Sequence, residues 1–406
     1  MNRRAAIVFI VLTVMIDAMG IGLMIPVMPD LIREVNGGDL GDAALWGGVL
    51  ATTFAVMQFL FGPVMGGLSD RFGRRPVLLV SLAVMAADYV VLALAGSIWL
   101  LLAARIIGGI TAATQSTATA YMADITAPEN RTKNFGLIGA GFGVGFILGP
   151  VTGGLLAEYG TRAPFWAAAL LGSANLILGY VVLRETVRPE DRRRFDWRRA
   201  NPWGAVRQLG QLPGVRQLLL IYFLYHVAFA VYPSVWAYFG QERFGWTPAL
   251  TGLSLALFGG TMALVQGGLI GPFLRLVGER RTVLSGYAFA ALAYGGLAVL
   301  TSGPVALVLT PLAAFAGVIP PALQGIMSRR VSGNVQGELQ GALTSASALA
   351  MIASPLVMTA TFARFTGADA PIYLPGAPFL LALGLTLLGA AIFASRLGAV
   401  RDVDLK

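Results

Sequence analysis

Three charged side chains lie inside long apolar stretches of this sequence. Asp17 is in the apolar run near the N-terminus, Asp88 is in the third such run and Arg105 is in the fourth. A charge at the centre of a bilayer costs about 2.5 to 3.5 kcal/mol on insertion scales. A carboxyl group can bind and release a proton, whereas an arginine stays charged at any accessible pH. Asp17, Asp88 and Arg105 are therefore candidates for proton coupling. The alternative is that the carboxyl groups are structural and are satisfied by neighbouring hydroxyl groups or by an ion pair with Arg105.

Polar and aromatic side chains in other apolar runs are candidates for binding a substrate. Gln58 and Gln115 either contact a substrate or make hydrogen bonds between helices. His226, in the seventh run, either titrates near neutral pH or is a hydrogen-bonded core residue. Aromatic residues surround it at helical spacings and form either a wall for a flat substrate or ordinary packing: Tyr222, Tyr225, Phe229, Tyr232 and Trp236.

The stretch between the second and third apolar runs is a candidate hinge. It extends from Gly62 to Pro76 and reads GPVMGGLSDRFGRRP. Small residues let neighbouring helices approach closely. We therefore predict close helix contacts at Gly62, Gly66 and Gly67.

The charges of this stretch are suited to a gate. Asp70 can accept hydrogen bonds from a helix N-terminus, and arginines bind acids or phosphates. We expect Asp70, Arg71 and Arg74 to form a latch on the cytoplasmic side, with an ordinary positively charged loop as the alternative. The predicted gate residues are Gly66, Asp70, Arg71, Gly73, Arg74 and Arg131.

The sequence lacks groups that many enzyme and metal sites need. It contains no cysteine and a single histidine, His226. Disulfides, thiolate metal sites, cysteine nucleophiles and sites with several histidine ligands are thereby excluded. A Ser-His-Asp triad would have to use His226 inside the membrane. We expect a protein that is not an enzyme and that needs no cofactor and no metal.

Composition predicts a membrane protein. Of the 406 residues, 56% are hydrophobic and only 12% are charged, about half the usual charged fraction. A membrane-spanning helix needs about 20 apolar residues. Twelve such runs are present, at 5–27, 44–68, 77–95, 98–122, 135–158, 164–183, 215–239, 248–275, 283–301, 304–327, 339–363 and 374–396.

The distribution of basic residues predicts the topology. If the loops after odd-numbered helices are periplasmic, their basic residues are Arg33, Arg162, Arg243 and Arg364. Apart from Arg105, the other 24 of the 29 Lys and Arg then lie on or face the opposite side. This positive-inside bias places both termini in the cytoplasm of a bacterial inner membrane. The net charge of +9 then faces anionic lipid rather than nucleic acid.

The two halves of the chain repeat each other. Gly73 and Gly278, Gly136 and Gly341, and Pro150 and Pro355 are each 205 positions apart, which indicates duplication of a six-helix unit. The polar stretch 184–214 separates the halves.

The predicted fold is therefore an all-α membrane protein with twelve transmembrane helices in two pseudo-symmetric six-helix bundles. The bundles cover 1–183 and 215–406, a cytoplasmic linker covers 184–214, and a substrate path lies between the bundles. In the second half, Arg275 stands where the first half has Asp70. We therefore expect the latch chemistry to be concentrated in the first half.

Several motifs resemble those of one transporter family. GGLSDRFGRRPVLL resembles the signature between the second and third helices of the major facilitator superfamily. Gly20 to Pro29, GIGLMIPVMP, and Arg105 to Ala113, RIIGGITAA, resemble its first-helix and fourth-helix motifs. GFILGPVTGG resembles the fifth-helix motif of its antiporters, through Gly145, Gly149, Pro150, Gly153 and Gly154. Together with YMADITAPENR, these motifs are most similar to those of tetracycline-resistance efflux proteins.

The resemblance implies the major facilitator fold and a residue set for proton-coupled export. Asp17 and Asp88 resemble acids that tetracycline exporters need, Arg105 resembles the membrane arginine of the family, and Gln58 resembles a glutamine that contacts substrate. Where those exporters carry a histidine in the eighth helix and an aspartate in the ninth, this chain has Met262 and Ala290.

We expect a proton-coupled antiporter that exports an amphipathic, drug-like small molecule by alternating access. Its partners would be that molecule, protons and the lipid bilayer, and it would function as a monomer without binding nucleic acid. A proton-coupled symporter or facilitator of a metabolite with the same fold is the alternative. A membrane enzyme or receptor would require a catalytic cluster or an added soluble domain, and the sequence contains neither.

Overall fold

The structure is a computed structural model that describes residues 3–188, 190, 192, 195–196, 214–367 and 369–397. Within these ranges the secondary structure is helical, without strands. The first half contains α1 Arg3–Met24, α2 Met28–Asn36, α3 Leu40–Phe72, α4 Arg74–Leu94, α5 Ile98–Thr111, α6 Thr114–Ile125, α7 Arg131–Leu156 and α8 Ala163–Val182. The second half contains α9 Arg216–Phe229, α10 Val231–Phe244, α11 Pro248–Leu264, α12 Ile270–Val299, α13 Gly303–Ala314, α14 Ile319–Arg330, α15 Gln336–Thr366 and α16 Ala377–Leu397.

The prediction of an all-helical membrane protein is confirmed. Eleven helical stretches of the described chain are long and apolar enough to cross a membrane. The longest, Pro248–Val299, contains the predicted eighth and ninth spans. Gly278 divides this stretch into two helices, because its φ of 76° lies outside the helical range. The eleven helical stretches therefore contain the twelve predicted spans.

Apolar side chains on the outer face of α8 are consistent with contact to lipid. Leu170, Ile177 and Val181 are all largely exposed. On the opposite side of α8, Asn175 is buried and accepts a hydrogen bond from Thr13 of α1 at 3.2 Å. A helix in water would reverse this arrangement, with polar groups outside and apolar groups inside.

Three of the spans contain a break. The fourth predicted span divides into α5 and α6 at Ala112 and Ala113. The seventh divides into α9 and α10 at Ala230, and a short 3₁₀ turn, Phe315–Val318, separates α13 from α14. A break in a transmembrane helix frees backbone polar groups, and such breaks are tolerated only where protein or a cavity surrounds them.

The structure preserves the repeat at the same offset. α4 ends at Leu94 and α12 ends at Val299, 205 positions later. α6 and α14 match at both ends, and each is followed by a one-turn 3₁₀ helix, Pro128–Asn130 or Gly333–Val335. A constant offset through several helices and turns supports the duplicated unit.

The chain forms two compact units. Unit 1 comprises Met1–Asp39, Val49–Pro202 and Trp246–Ala256. Unit 2 comprises Leu40–Gly48, Trp203–Gly245 and Leu257–Lys406. The start of α3 thus belongs to unit 2 and the start of α11 to unit 1. The simpler boundaries at 183 and 215 stay a prediction.

Candidate functional site

Asp88 and Arg105 form an ion pair inside unit 1. Asp88 projects from α4 and Arg105 from α5, and Nη2 of Arg105 donates to Oδ2 of Asp88. Arg105 is only 8% exposed, and its guanidinium lies over the ring of Phe54 at 5.4 Å. The structure thus supplies the partner that the sequence left open for Asp88.

Part of this pair is unsatisfied among the described residues. Oδ1 of Asp88 and Nε of Arg105 are buried and have no hydrogen-bond partner there. A buried polar atom without a partner is costly. The arrangement leaves one carboxyl oxygen of Asp88 available to receive a proton while the other oxygen binds arginine.

Tyr89 lies between this pair and α1, the helix that carries Asp17. It is buried, it follows Asp88 on α4, and the charges of Asp17, Arg105 and Asp88 lie near enough to act on it. Its hydroxyl packs against α1 at Gly20, where an added Cβ would lie 2.0 Å from the oxygen. Tyr89 was not predicted as a site residue, although its position next to Asp88 on an apolar helix is a usable signal.

Glycines of the antiporter motif form a close seam between α7 and α1. A Cβ on Gly145, Gly149 or Gly153 would lie 2.1 to 2.5 Å from backbone carbonyl oxygens of α1. Gly154 meets the backbone at Pro248 in the same way. Gly145, Gly149 and Gly153 recur every fourth residue, so one face of α7 lies against the backbone of α1.

The hinge after α3 turns at Gly73. Its φ of 107° is a conformation that residues with a Cβ rarely adopt. Arg74 follows and binds two acids: its Nη1 lies 2.6 Å from Oδ1 of Asp70, and its Nε lies 3.4 Å from Oδ2 of Asp124. The hinge is thereby tied to the end of α6.

Glu185, at the start of the polar linker, caps this hinge. Its carboxylate accepts hydrogen bonds from the backbone N–H groups of Arg74 at 2.9 Å and Arg75 at 3.2 Å. Arg75 in turn donates to the carbonyl oxygen of Tyr180 at 2.9 Å. Sequence reasoning missed Glu185 because more than one hundred residues separate it from the groups that it binds.

An open cavity of about 530 Å³ lies beside the hinge. The structure brings the predicted gate residue Arg131 to this cavity with Asp70 and Arg74. Arg71 is placed differently, because its guanidinium lies over the neighbouring Phe72 ring at 5.1 Å. The complete lining is Asp70, Arg74, Ala123, Asp124, Arg131, Thr186 and Val187.

The predicted close helix contacts at Gly62 and Gly66 are wrong. Among the described residues, no atom lies within 4 Å of a Cβ added at either position. Only Gly67 has a close neighbour, the ring of Phe195, at 2.9 Å from an added Cβ. The tight glycine contacts lie instead in the seam of α7.

His226 stands between two tyrosines in unit 2. Its ring centre lies 4.4 Å from that of Tyr222 and 5.3 Å from that of Tyr225, both edge to face. The hydroxyl of Tyr222 faces the side chains of Gln324 and Ser347. Nε2 of His226 is buried and has no hydrogen-bond partner among the described residues. Tyr222 and Tyr225 are each 6% exposed, so contact of this cluster with a substrate stays a prediction.

The other aromatic residues pack in a series along α9 and α10. Phe229 contacts Tyr225 and Phe258, whereas Trp236 contacts Tyr232 and Phe379. Trp236 is 1% exposed. Its burial gives it a packing role, and its substrate contact stays a prediction.

The glutamines predicted to bind substrate are placed in unit 1. Gln58 on α3 and Gln115 on α6 are both exposed. At the positions where tetracycline exporters carry histidine and aspartate, Met262 lies next to Gln266 with Sδ and Nε2 at 3.4 Å, and Ala290 is buried. Among the described residues, no group of three or more His, Asp or Glu is arranged to hold a metal ion.

Comparisons with known proteins agree on one family. A family model described as Major Facilitator Superfamily matches residues 10–355. The class C tetracycline resistance protein of Escherichia coli is 43% identical over 363 residues, which are 89% of this chain and 91% of that protein. The class G protein of Vibrio anguillarum is 40% identical over 365 residues, which are 90% and 92% of the two chains.

Solved structures share the fold. The human organic anion transporter MFSD10 (TETRAN) has a TM-score of 0.69 at 27% identity and covers 97% of this chain and 100% of its own. A D-xylose-proton symporter has a TM-score of 0.72 and covers 96% of both chains. Its 17% identity makes the likeness one of fold alone.

Proposed function

This chain belongs to the Major Facilitator Superfamily and is a drug efflux transporter, and we propose that it exports an amphipathic, tetracycline-like or multidrug substrate in exchange for protons. It is a multi-pass membrane protein. We place it in a bacterial inner membrane with both termini in the cytoplasm. We further infer that it works as a monomer with the proton gradient as its energy source, without a cofactor and without nucleic acid.

The observation that carries proton coupling is the group formed by Asp17, Tyr89, Asp88 and Arg105. Asp88 has one oxygen bound to Arg105 and the other without a partner among the described residues. Proton binding to the second oxygen would cancel the charge that holds Arg105. Asp17 and Asp88 would take protons from the periplasmic side and release them inward as substrate moves out.

The hinge would act as the latch of the cytoplasmic gate. Arg74 joins Asp70 to Asp124, and Glu185 attaches the linker to the same turn. Bonds that must break and re-form during alternating access need partners at the surface rather than in a sealed core. The exposure of this cavity meets that condition.

The substrate would contact the aromatic cluster of unit 2. Tyr222 and His226 combine ring faces with a hydroxyl and a ring nitrogen, and Gln324 and Ser347 add polar groups. A flat molecule with apolar rings and several hydrogen-bonding groups matches these surfaces. An amphipathic drug is a molecule of this kind.

Resistance measurements test the proposed function. The chain would be expressed in a bacterial host that lacks its own efflux pumps, beside a double variant, Asp17→Asn with Asp88→Asn. Tetracyclines and unrelated amphipathic compounds would be compared. We expect reduced susceptibility to at least one compound class with the natural chain and not with the double variant. Unchanged susceptibility to every compound, with the protein present in the membrane, would refute drug export.

A further inference from the structure

A second ion pair stands at the hinge of unit 2. Gly278 bends the chain inside α12, and Glu279 is the first residue after the bend. Its carboxylate pairs with the guanidinium of Arg329, near the end of α14. A Cβ on Gly325 would lie 3.2 Å from Oε1 of Glu279, so a small residue leaves room for the pair. The ion pair thus joins the bend at Gly278 to the end of α14.

This pair occupies the positions of the first latch with its charges reversed. Glu279 is 205 positions after Arg74, and Arg329 is 205 positions after Asp124. Arg275 likewise stands 205 positions after Asp70. Unit 1 thus has an acid–base–acid set, Asp70, Arg74 and Asp124. At the corresponding positions unit 2 has a base–acid–base set, Arg275, Glu279 and Arg329.

The surroundings of the two latches correspond as well. Arg131 begins α7 and lines the cavity of unit 1, and Gln336, 205 positions later, begins α15. Gln336 exchanges hydrogen bonds with Ser328, at 2.7 Å to its carbonyl oxygen and 3.0 Å from its hydroxyl. Both units thus bring the start of the next helix to the latch.

Helix dipoles act with opposite sign on the two latches. In unit 1, the positive Arg74 stands at the N-terminus of α4, and the negative Asp124 stands near the C-terminus of α6. Both are the unfavourable ends, and the carboxylate of Glu185 supplies the missing negative charge. In unit 2, Glu279 follows the bend and Arg329 lies in the last turn of α14, so both charges suit the dipoles.

We propose that Glu279 and Arg329 form a second, charge-reversed latch that positions the hinge of unit 2 during transport. The opposite charges attract in either order, so reversal keeps the link while the sequence identity is lost. The latch chemistry is then present in both units rather than in the first alone. This inference rests on the proposed transport by alternating access.

Charge exchange tests the latch directly. The variants are Glu279→Gln, Arg329→Gln and the exchanged double variant Glu279→Arg with Arg329→Glu. Tetracycline uptake into inverted membrane vesicles would give maximal rate and KM per transporter. The single variants should lose about fivefold in maximal rate, the factor that corresponds to about 1 kcal/mol, with little change in KM. The double variant should recover part of the rate, because the exchanged charges attract again but stand at the unfavourable ends of their helix dipoles.

A control and a stability measurement separate latch from scaffold. Arg280→Gln removes a neighbouring exposed positive charge and should leave the rate unchanged. Because Arg329 is 56% exposed, the loss of the pair should hardly change thermal stability in detergent. The inference fails if the single variants transport at the natural rate, if the exchanged variant stays as slow as they are, or if the loss of rate follows a loss of folded protein. A natural chain that transports neither tetracycline nor the other compounds of the resistance panel in these vesicles would instead refute the proposed function.

Discussion

Arg105 holds Asp88 within the apolar interior of unit 1, and this contact decides how the membrane charges are paired. The sequence identified Asp17, Asp88 and Arg105 from their cost in a bilayer, but a single sequence carries no distance. It therefore left hydroxyl groups and Arg105 as rival partners of Asp88. The structure supplies the ion pair and adds Tyr89, which interacts with both acids. Tyr89 went unpredicted because a tyrosine in an apolar helix is ordinary in composition.

Tyr222 and Trp236 should separate binding from packing. Tyr222→Phe removes the hydroxyl that faces Gln324 and Ser347. We expect its KM for drug uptake to rise about two- to tenfold, because the substrate would lose a hydrogen bond worth about 0.5–1.5 kcal/mol. Trp236→Phe opens space among buried rings and should lower stability by about 1 kcal/mol while KM stays unchanged.

Uptake kinetics and thermal unfolding in detergent, measured on the same two variants, check this division. A rise of KM in Trp236→Phe without loss of stability would assign the tryptophan to the substrate instead. An unchanged KM in Tyr222→Phe would remove the tyrosine from the binding cluster.

At the scale of elements, the seam between α1 and α7 is a set of backbone contacts. The motif residues were read from the sequence, and their spacing of four already placed Gly145, Gly149 and Gly153 on one helix face. Which helix they meet did not follow, since close approach depends on the position of the partner backbone. Gly62 and Gly66 are the opposite case. Close contacts were predicted there because the residues are glycines, but a glycine need not have a close neighbour.

Glycine substitution in α7 tests the seam. A Cβ on Gly149 would lie 2.5 Å from the carbonyl oxygen of Met19 and 2.8 Å from Cα of Gly22. Gly149→Val should force the helices apart, at a cost of about 1–3 kcal/mol, and abolish transport. Gly143→Val is the matched control, since a Cβ there meets nothing within 4 Å in the part of the chain that the structure describes. Thermal unfolding and vesicle uptake would be measured, and equal effects at both positions would contradict the seam.

The charge-reversed pair shows a limit of reading repeats by residue identity. Arg275 in place of Asp70 made the second hinge resemble a decayed copy. Glu279 and Arg329 still carry opposite charges, and opposite charges attract whichever of the two residues is the acid. Glu185 was hidden for a different reason, since a linker residue becomes a helix cap only through a distant fold contact.

At the scale of the whole molecule, the predicted all-helical membrane fold and its repeat are confirmed, and the orientation in the membrane stays a prediction. Apolar runs of about 20 residues and basic loops are strong signals. The eighth and ninth runs are separated at Gly278, whose φ of 76° is not helical, just as Gly73 separates the second and third runs.

Single cysteines test the orientation, since the natural chain has none. Tyr159→Cys lies in an exposed turn predicted to be periplasmic, and Glu129→Cys lies in an exposed turn predicted to be cytoplasmic. A membrane-impermeant maleimide should label the first in intact cells and the second only after permeabilisation. The opposite labelling pattern would invert the topology.

Gradient-driven uptake into inverted vesicles tests the central claim, proton-coupled export, most directly. The natural chain should accumulate tetracycline or a related drug when the vesicle interior is acidic, and collapse of the pH gradient should release it. Asp17→Asn and Asp88→Asn, each present at the natural level, should reduce this uptake about tenfold or more, which corresponds to at least about 1.4 kcal/mol. Uptake that persists after the gradient is collapsed, or that both variants retain in full, would contradict the account.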